Sequence, residues 1–239
     1  MEQYIKIPTT DGFEIKGVLN SGKKSDKLII FCHGFNWSFN RHIFHNGVKF
    51  FTHNWYDVFR FDFYNWWIKT RKLHSCDFNI HGMDIDTVVD FFNENYKEVI
   101  LIGHSFWWLS ILYSSQKAQK IVLWDPSLVL KEEQKWKNEK EVLYDKQKKL
   151  NYFADTLVYI NPNMLSQHSD ESKERAYNFI IPWFIICAEW CYLYENWITI
   201  YKDIKNCEWI HNILWASHSF DEEWTEEELF DKTLEYLEK

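Results

Sequence analysis

The chain has 239 residues, with 35 acidic against 27 basic side chains and a net charge of −8; this length suits one large domain able to bury a sizeable core, and an acidic balance without a basic cluster argues against nucleic acid or an anionic membrane as the main partner. The five cysteines (Cys32, Cys76, Cys187, Cys191 and Cys207) are odd in number and lack metal-ligand spacing, so they read as reduced thiols rather than a disulfide framework. The N-terminus has no cationic, apolar leader and no run is long enough to span a bilayer, which makes a cytoplasmic protein without stable membrane insertion the expectation.

In chain order, Tyr4 to Ile7 and Phe13 to Leu19 read as an antiparallel pair turning at Asp11-Gly12. The apolar runs Leu28 to Cys32, Val58 to Phe61, Val99 to Ile102, Ile121 to Trp124, Phe184 to Ala188 and Trp209 to Ile213 predict central strands of a mostly parallel sheet. Between them, His42 to Thr52 and Met83 to Asn95 carry apolar residues at helical spacing, and Leu109 to Tyr113 has the composition of a buried helix. Residues 131–178 are rich in Lys, Glu, Asn and Gln and open with a charged helical run from Lys131 to Lys149. They read as an inserted helical cap or lid, leaving 1–130 and 179–239 as the α/β core. Thr225-Glu226-Glu227-Glu228 has the form of a capping box opening a last helix to Leu237.

The composition holds one anomaly. Glycine is found 7 times and tryptophan 14, whereas ordinary usage gives roughly 17 glycines in a chain this long. Asn36-Trp37, Asn54-Trp55, Asn65-Trp66 and Asn196-Trp197 stand where Asn-Gly is the natural turn. The expectation is that many of these tryptophans stand for glycine, through a codon read as glycine in the source lineage, with Trp124 a true tryptophan because it lies in a strand. An aromatic-lined site for a lipid or polyaromatic ligand is the competing explanation.

The chemistry is concentrated at Gly103-His104-Ser105-Phe106-Trp107, which matches a serine nucleophile elbow at four of five positions. It lies between a β-branched run and a buried helix, where a strained turn lifts Oγ out of the sheet and helix-start N–H groups face a developing oxyanion.

With three further motifs in order, the chain resembles the α/β-hydrolase superfamily over nearly its full length, specifically its small esterase and lysophospholipase-like members. His33-Gly34-Phe35 follows the first central strand, as the family's oxyanion loop does; Arg60-Phe61-Asp62-Phe63-Tyr64 follows the next; Ala216-Ser217-His218-Ser219-Phe220 resembles the segment with the catalytic histidine. The resemblance implies Ser105 as nucleophile and His218 as base, with the backbone N–H groups of Phe35 and Phe106 as the oxyanion hole. His104 and His33 are then structural, the latter orienting its loop. Glycine is usual in relatives at positions 107 and 215 and in the loop at Trp66-Trp67, and an indole at 107 is expected to force helix and strand apart.

The acid is the open position. Where most relatives place an aspartate, this chain has Ala188-Glu189-Trp190-Cys191, and a thiol cannot supply the fixed charge that orients an imidazole. Asp125, just beyond the strand after the elbow, is the first choice; Glu189 and Asp221 remain as alternatives, with capping as the ordinary role for such an aspartate. The resulting expectation is a serine hydrolase acting on a small-molecule acyl ester or thioester, without metal or organic cofactor. A non-catalytic α/β-hydrolase-fold binding protein with a degenerate site is the alternative.

Overall fold

Six runs of β-branched and aromatic residues form the sheet that their composition predicts. The computed structural model describes residues 1–22, 25–35, 37–115, 117–127, 142–154, 156–167, 170–191 and 193–239. β1 (Glu2–Pro8) and β2 (Glu14–Asn20) pair antiparallel, and Gly12 in their turn has a φ of +88° that glycine adopts without strain. β3 (Lys27–Cys32), α1 (His42–His53), β4 (Asp57–Phe61), α2 (Phe78–Asn93), β5 (Glu98–His104), α3 (Trp108–Leu112) and β6 (Lys120–Trp124) follow. The insertion then supplies β7 (Val142–Asp145), β8 (Leu150–Phe153), β9 (Val158–Ile160), α4 (Pro162–Gln167) and α5 (Asp170–Tyr177). The chain returns to the main sheet through β10 (Trp183–Ala188), α6 (Leu193–Ile200) and β11 (Cys207–Ile213), and ends with α7 (Thr225–Leu237).

The main sheet has the order β1-β2-β4-β3-β5-β6-β10-β11, parallel from β4 to β11. Its central strands are buried on both faces, which is why they read as continuous apolar runs. Ile29, Phe31, Val58 and Ile100 point to the side covered by Phe44 and Phe51 of α1 and Leu229 and Phe230 of α7. Leu28, Ile30, Phe59 and Leu101 point to the side covered by α2, α3 and α6. The chain moves from β3 to β4 in one direction and places β5 on the other side of β3. Such a reversal opens a crevice at the carboxyl ends of the strands. Among the described residues no helix is long and apolar enough to cross a membrane.

Three local expectations are corrected. The helix expected from Met83 begins at Phe78, because Asp77 caps it by accepting the Ile80 N–H at 3.0 Å. The capping box at Thr225 does not form. Trp224 is the N-cap with a φ of +73°, Thr225 donates its hydroxyl to Glu222 O, and Glu228 pairs with His211 Nε2 at 2.8 Å.

The third concerns the helical run expected from Lys131 to Lys149 in a helical cap. Residues 131–141 lie outside the described residues, and Val142–Asp145 is a strand. Asp145 Oδ1 accepts the N–H groups of Gln147 and Lys148, closing a turn from which β8 pairs back antiparallel. The aromatic and branched residues on either side favour this hairpin over a helix, whatever the lysines between them prefer. Helices α4 and α5 follow the three-stranded sheet. Gln167 of α4 docks the segment by accepting the Phe78 N–H at 2.9 Å and, through its carbonyl, the Tyr113 hydroxyl at 3.1 Å.

Candidate active site

The pairing of β5 with β6 sets the geometry. His104 and Trp124 are register partners, so the next residues, Ser105 and Asp125, leave the sheet side by side. Both turn through left-handed backbone, with φ of +56° and +41°, the strained conformation in which a serine hydroxyl is lifted out of a sheet. Close approach underneath requires glycine at two places. A Cβ on Gly103 would lie 2.8 Å from Ile111 Cδ1 and 3.1 Å from Trp108 Cα; one on Gly34 would lie 2.7 Å from His104 Nδ1 and 3.2 Å from Ser105 Cβ.

His218, in the loop after β11, reaches both residues. Its Nε2 lies 2.7 Å from Ser105 Oγ and its Nδ1 hydrogen-bonds Asp125 Oδ2. Asp125 is fully buried and fixed from the neighbouring strand, its N–H donating to Ile186 O at 2.6 Å and its Oδ1 accepting the Ala188 N–H at 3.1 Å. Of the alternative acids, Glu189 accepts the Trp215 N–H at 2.8 Å, and Asp221 pairs with His42 Nε2 at 2.7 Å. Each is committed to its own loop. One oxygen of Asp125 takes a strand N–H rather than a helix N-terminus, while the other faces the imidazole.

The supporting histidines are neutral and oriented. His104 directs Nε2–H to the carbonyl of His218 at 3.0 Å, and Trp37 stacks on its other side at 4.3 Å. Burial, and then the positive charge that His218 can carry, hold the His104 ring well below the usual histidine range. His33 donates from Nδ1 to Gly34 O at 2.8 Å and accepts the Phe63 N–H on Nε2 at 3.2 Å, and burial lowers its pKa too. It ties the loop after β3 to the loop after β4, where Asp62 accepts the Phe39 N–H and an Asn65 N–H. Phe35 follows Gly34, and its ring meets that of Phe106 edge-on at 5.8 Å. Gly34, before Phe35, is the residue that lies against Ser105, and Phe106 is the residue that follows it.

Trp107 does not wedge between β5 and α3 as expected. Its indole turns away from that contact, stacks on His81 at 4.6 Å and packs among Phe35, Phe63, Tyr64, Phe78 and Phe106. Asn196-Trp197 is not a turn either. Trp197 is a buried residue of α6 whose N–H donates to Pro126 O at 2.7 Å, while Trp108 donates to Ser127 O at 2.6 Å. The two indoles clamp the loop that carries Asp125. Nothing local in the chain marks this clamp, whereas Cys191, already singled out at the expected acid position, brings its Sγ to 4.0 Å from His218 Nδ1. Burial, then the negative charge of Asp125, push that thiol up, so it stays protonated. A groove of about 480 Å³ lined by Lys6, Lys16, Asp62, Trp66 and Trp67 opens elsewhere and shares no residue with Ser105, His218 and Asp125.

No protein-family model matches the sequence, and no curated protein does. Solved structures match along its whole length. Est1E from Butyrivibrio proteoclasticus, solved with ferulic acid bound, is 17% identical, with a TM-score of 0.74 over 98% of this chain and 100% of that one. The α/β hydrolase GrgF from Penicillium sp. sh18 is 13% identical, with a TM-score of 0.76 over 99% and 98%. The esterase Pf2001 of Pyrococcus furiosus is 20% identical, with a TM-score of 0.69 over 100% and 92%.

Proposed function

We propose that this chain, which has the α/β-hydrolase fold, is a serine hydrolase cleaving carboxylic esters or thioesters of small molecules through Ser105, His218 and Asp125. The observation that carries this reading is the unbroken run of contacts from Ser105 Oγ through both nitrogens of His218 to a buried carboxylate. The esterases among its structural neighbours support ester hydrolysis as the reaction class.

In the reaction, Ser105 Oγ attacks the acyl carbon while His218 Nε2 takes its proton. Asp125 holds the Nδ1–H and stabilises the imidazolium that forms. The carbonyl oxygen, now an oxyanion, accepts the backbone N–H groups of Phe35 and Phe106. Collapse breaks the acyl–oxygen or acyl–sulfur bond, and the leaving group takes the proton from Nε2. An acyl-Ser105 ester remains. Water then attacks it, giving one proton to Nε2, and the carboxylic acid departs as Ser105 recovers that proton. The scheme draws on side chains and backbone alone. Phe153 of β8 packs edge-on against Phe35 at 5.1 Å, a contact that supports the insertion as a lid over the acyl site.

All five cysteines are free thiols, as suits a cytoplasmic enzyme in a reducing compartment. The test is hydrolysis of a p-nitrophenyl ester together with labelling by a fluorophosphonate. Turnover and label that both disappear in Ser105→Ala are the expected result. A wild-type chain that neither turns over esters nor takes the label overturns the reading in favour of a binding protein.

A further inference from the structure

Tryptophan stands where the backbone favours glycine. Trp55, Trp215 and Trp224 have φ of +69°, +63° and +73°, the left-handed region in which a bulky L-residue is an outlier. All three are more than half exposed, at 56%, 68% and 70%. Nine non-glycine residues among those described lie in this region and three are tryptophan; random placement of 14 tryptophans in 239 positions gives 9 × 14/239, or about 0.5. Trp107 differs in kind. It is fully buried and its Nε1 has no partner among the described residues, nor has either nitrogen of the His81 ring on which it stacks. Trp124 and Trp197 show the opposite pattern: both are buried, with N–H groups bonded to Thr233 Oγ1 and Pro126 O, as tryptophans that a fold relies on are.

We infer that two codons share the letter W in this sequence, and that at positions 55, 107, 215 and 224 at least the source organism reads its codon as glycine. Trp124 and Trp197 are tryptophan in both readings. Glycine at 107 completes the elbow as Gly-x-Ser-x-Gly, and glycine at 55, 215 and 224 removes the left-handed strain. The inference is independent of the catalytic reading. Peptide sequencing by mass spectrometry on protein from the source cells tests it: glycine at 55, 107, 215 and 224 with tryptophan at 124 is expected, and tryptophan at 55, 215 and 224 overturns it. Recombinant protein gives a second measurement. Trp55→Gly, Trp215→Gly and Trp224→Gly together should raise the melting temperature by several degrees, and an unchanged or lower value overturns the premise that these sites need glycine.

A separate observation concerns Cys191, at the place where relatives carry an acid. One ligand atom from each of Asp125, Cys191 and His218 lies within 4.8 Å of the other two, a carboxylate, thiol and imidazole set typical of zinc. Zn–S and Zn–N bonds of about 2.3 and 2.0–2.1 Å put S and N roughly 3.6 Å apart in a tetrahedral site, against 4.0 Å between Cys191 Sγ and His218 Nδ1. A shift of a few tenths of an ångström closes that gap, while Asp125 Oδ2, now hydrogen-bonded to Nδ1, must draw back by about 1 Å, because N and O ligands of one tetrahedral zinc stand roughly 3.4 Å apart. The geometry points to an inhibitory Zn²⁺ site sharing two residues with the proposed triad. Zn²⁺ replaces the proton of the Cys191 thiol and takes His218 Nδ1. The imidazole proton moves to Nε2, which then has no lone pair for the Ser105 proton, and one proton is released to solvent.

The inhibitory consequence rests on the hydrolase reading, whereas the binding does not. Co²⁺ added to the wild-type chain should give a thiolate-to-metal absorption band that is lost in Cys191→Ala. Zn²⁺ should block ester turnover reversibly with a chelator, and Cys191→Ala should need at least an order of magnitude more Zn²⁺. No thiolate band, or equal Zn²⁺ sensitivity in the two proteins, overturns the site. A band without any ester turnover in metal-free protein keeps the site and defeats the hydrolase reading.

Discussion

The backbone N–H of Ala188 donates to Asp125 Oδ1 at 3.1 Å, leaving Oδ2 as the oxygen that faces His218. The carboxylate is aimed by a strand that contributes nothing else to the proposed triad. Asp125→Asn keeps the shape but presents the wrong group to Nδ1. It should lower kcat by about 10⁴-fold, whereas Glu189→Gln, which disturbs only the bond to Trp215, should change it severalfold at most. Similar small effects from both substitutions in ester turnover would refute the assignment.

Gly34 is where the loop after β3 touches the elbow. An added Cβ meets His104 Nδ1 at 2.7 Å and Ser105 Cβ at 3.2 Å, so Gly34→Ala must displace the loop, the ring or Ser105. Small misplacements of reacting groups cost on the order of 10²-fold. We expect that loss in the rate of fluorophosphonate labelling, with the melting temperature lowered by only a few degrees. A labelling rate equal to wild type would show that the contact is slack.

The acid limb of stability should be set by three buried rings. Burial lowers the pKa of His33, His81 and His104 in the folded chain, so the unfolded chain binds protons that the folded one refuses. Their contribution is complete above the unfolded value near 6.5 and is lost as pH falls below it. Each ring can remove at most about 1.4 kcal/mol per pH unit, down to its own folded-state value. Urea midpoints measured from pH 7.5 down to 5 should therefore fall, and a flat profile would contradict neutral burial.

Arg71 joins three parts of the chain. Its guanidinium binds both oxygens of Asp84 in α2, at 2.7 and 2.8 Å, and Asp11 in the β1–β2 turn at 2.8 Å. Asp84 and Arg71 are nearly buried, whereas Asp11 is half exposed. Asp84→Ala leaves a buried cation with one solvent-facing partner and should cost about 3 kcal/mol, read as a shift in the urea unfolding midpoint. A loss under 1 kcal/mol would mean that Asp11 alone satisfies the arginine.

Much of this architecture was legible in residue order because the central strands are buried on both faces. Runs such as Val99 to Ile102 have no polar interruption and announce themselves. Ser105 was legible for a related reason: the elbow is a local motif in which a strand, a strained turn and a helix follow one another. Asp125 is harder to find, since its nearness to Ser105 depends on the register between His104 and Trp124, a relation between strands. The insertion misled because its lysines and glutamates favour a helix one by one, while tertiary pairing of Val142–Asp145 with Leu150–Phe153 decides otherwise. The clamp of Trp108 and Trp197 on Pro126 and Ser127 was out of reach, because nothing local marks an indole that caps a distant carbonyl.

Ser105, just beyond β5, and Asp125, just beyond β6, both lie upstream of the insertion, twenty residues apart in sequence and adjacent in space. Segments grafted from other proteins between Ser127 and Phe179 would exchange the insertion without separating Ser105 from Asp125. If the proposed function holds, the fold offers a natural splice point for re-targeting: Ser105 and Asp125 fixed on one side of the graft, a replaceable selectivity module within it, and His218 returning after it to complete the circuit.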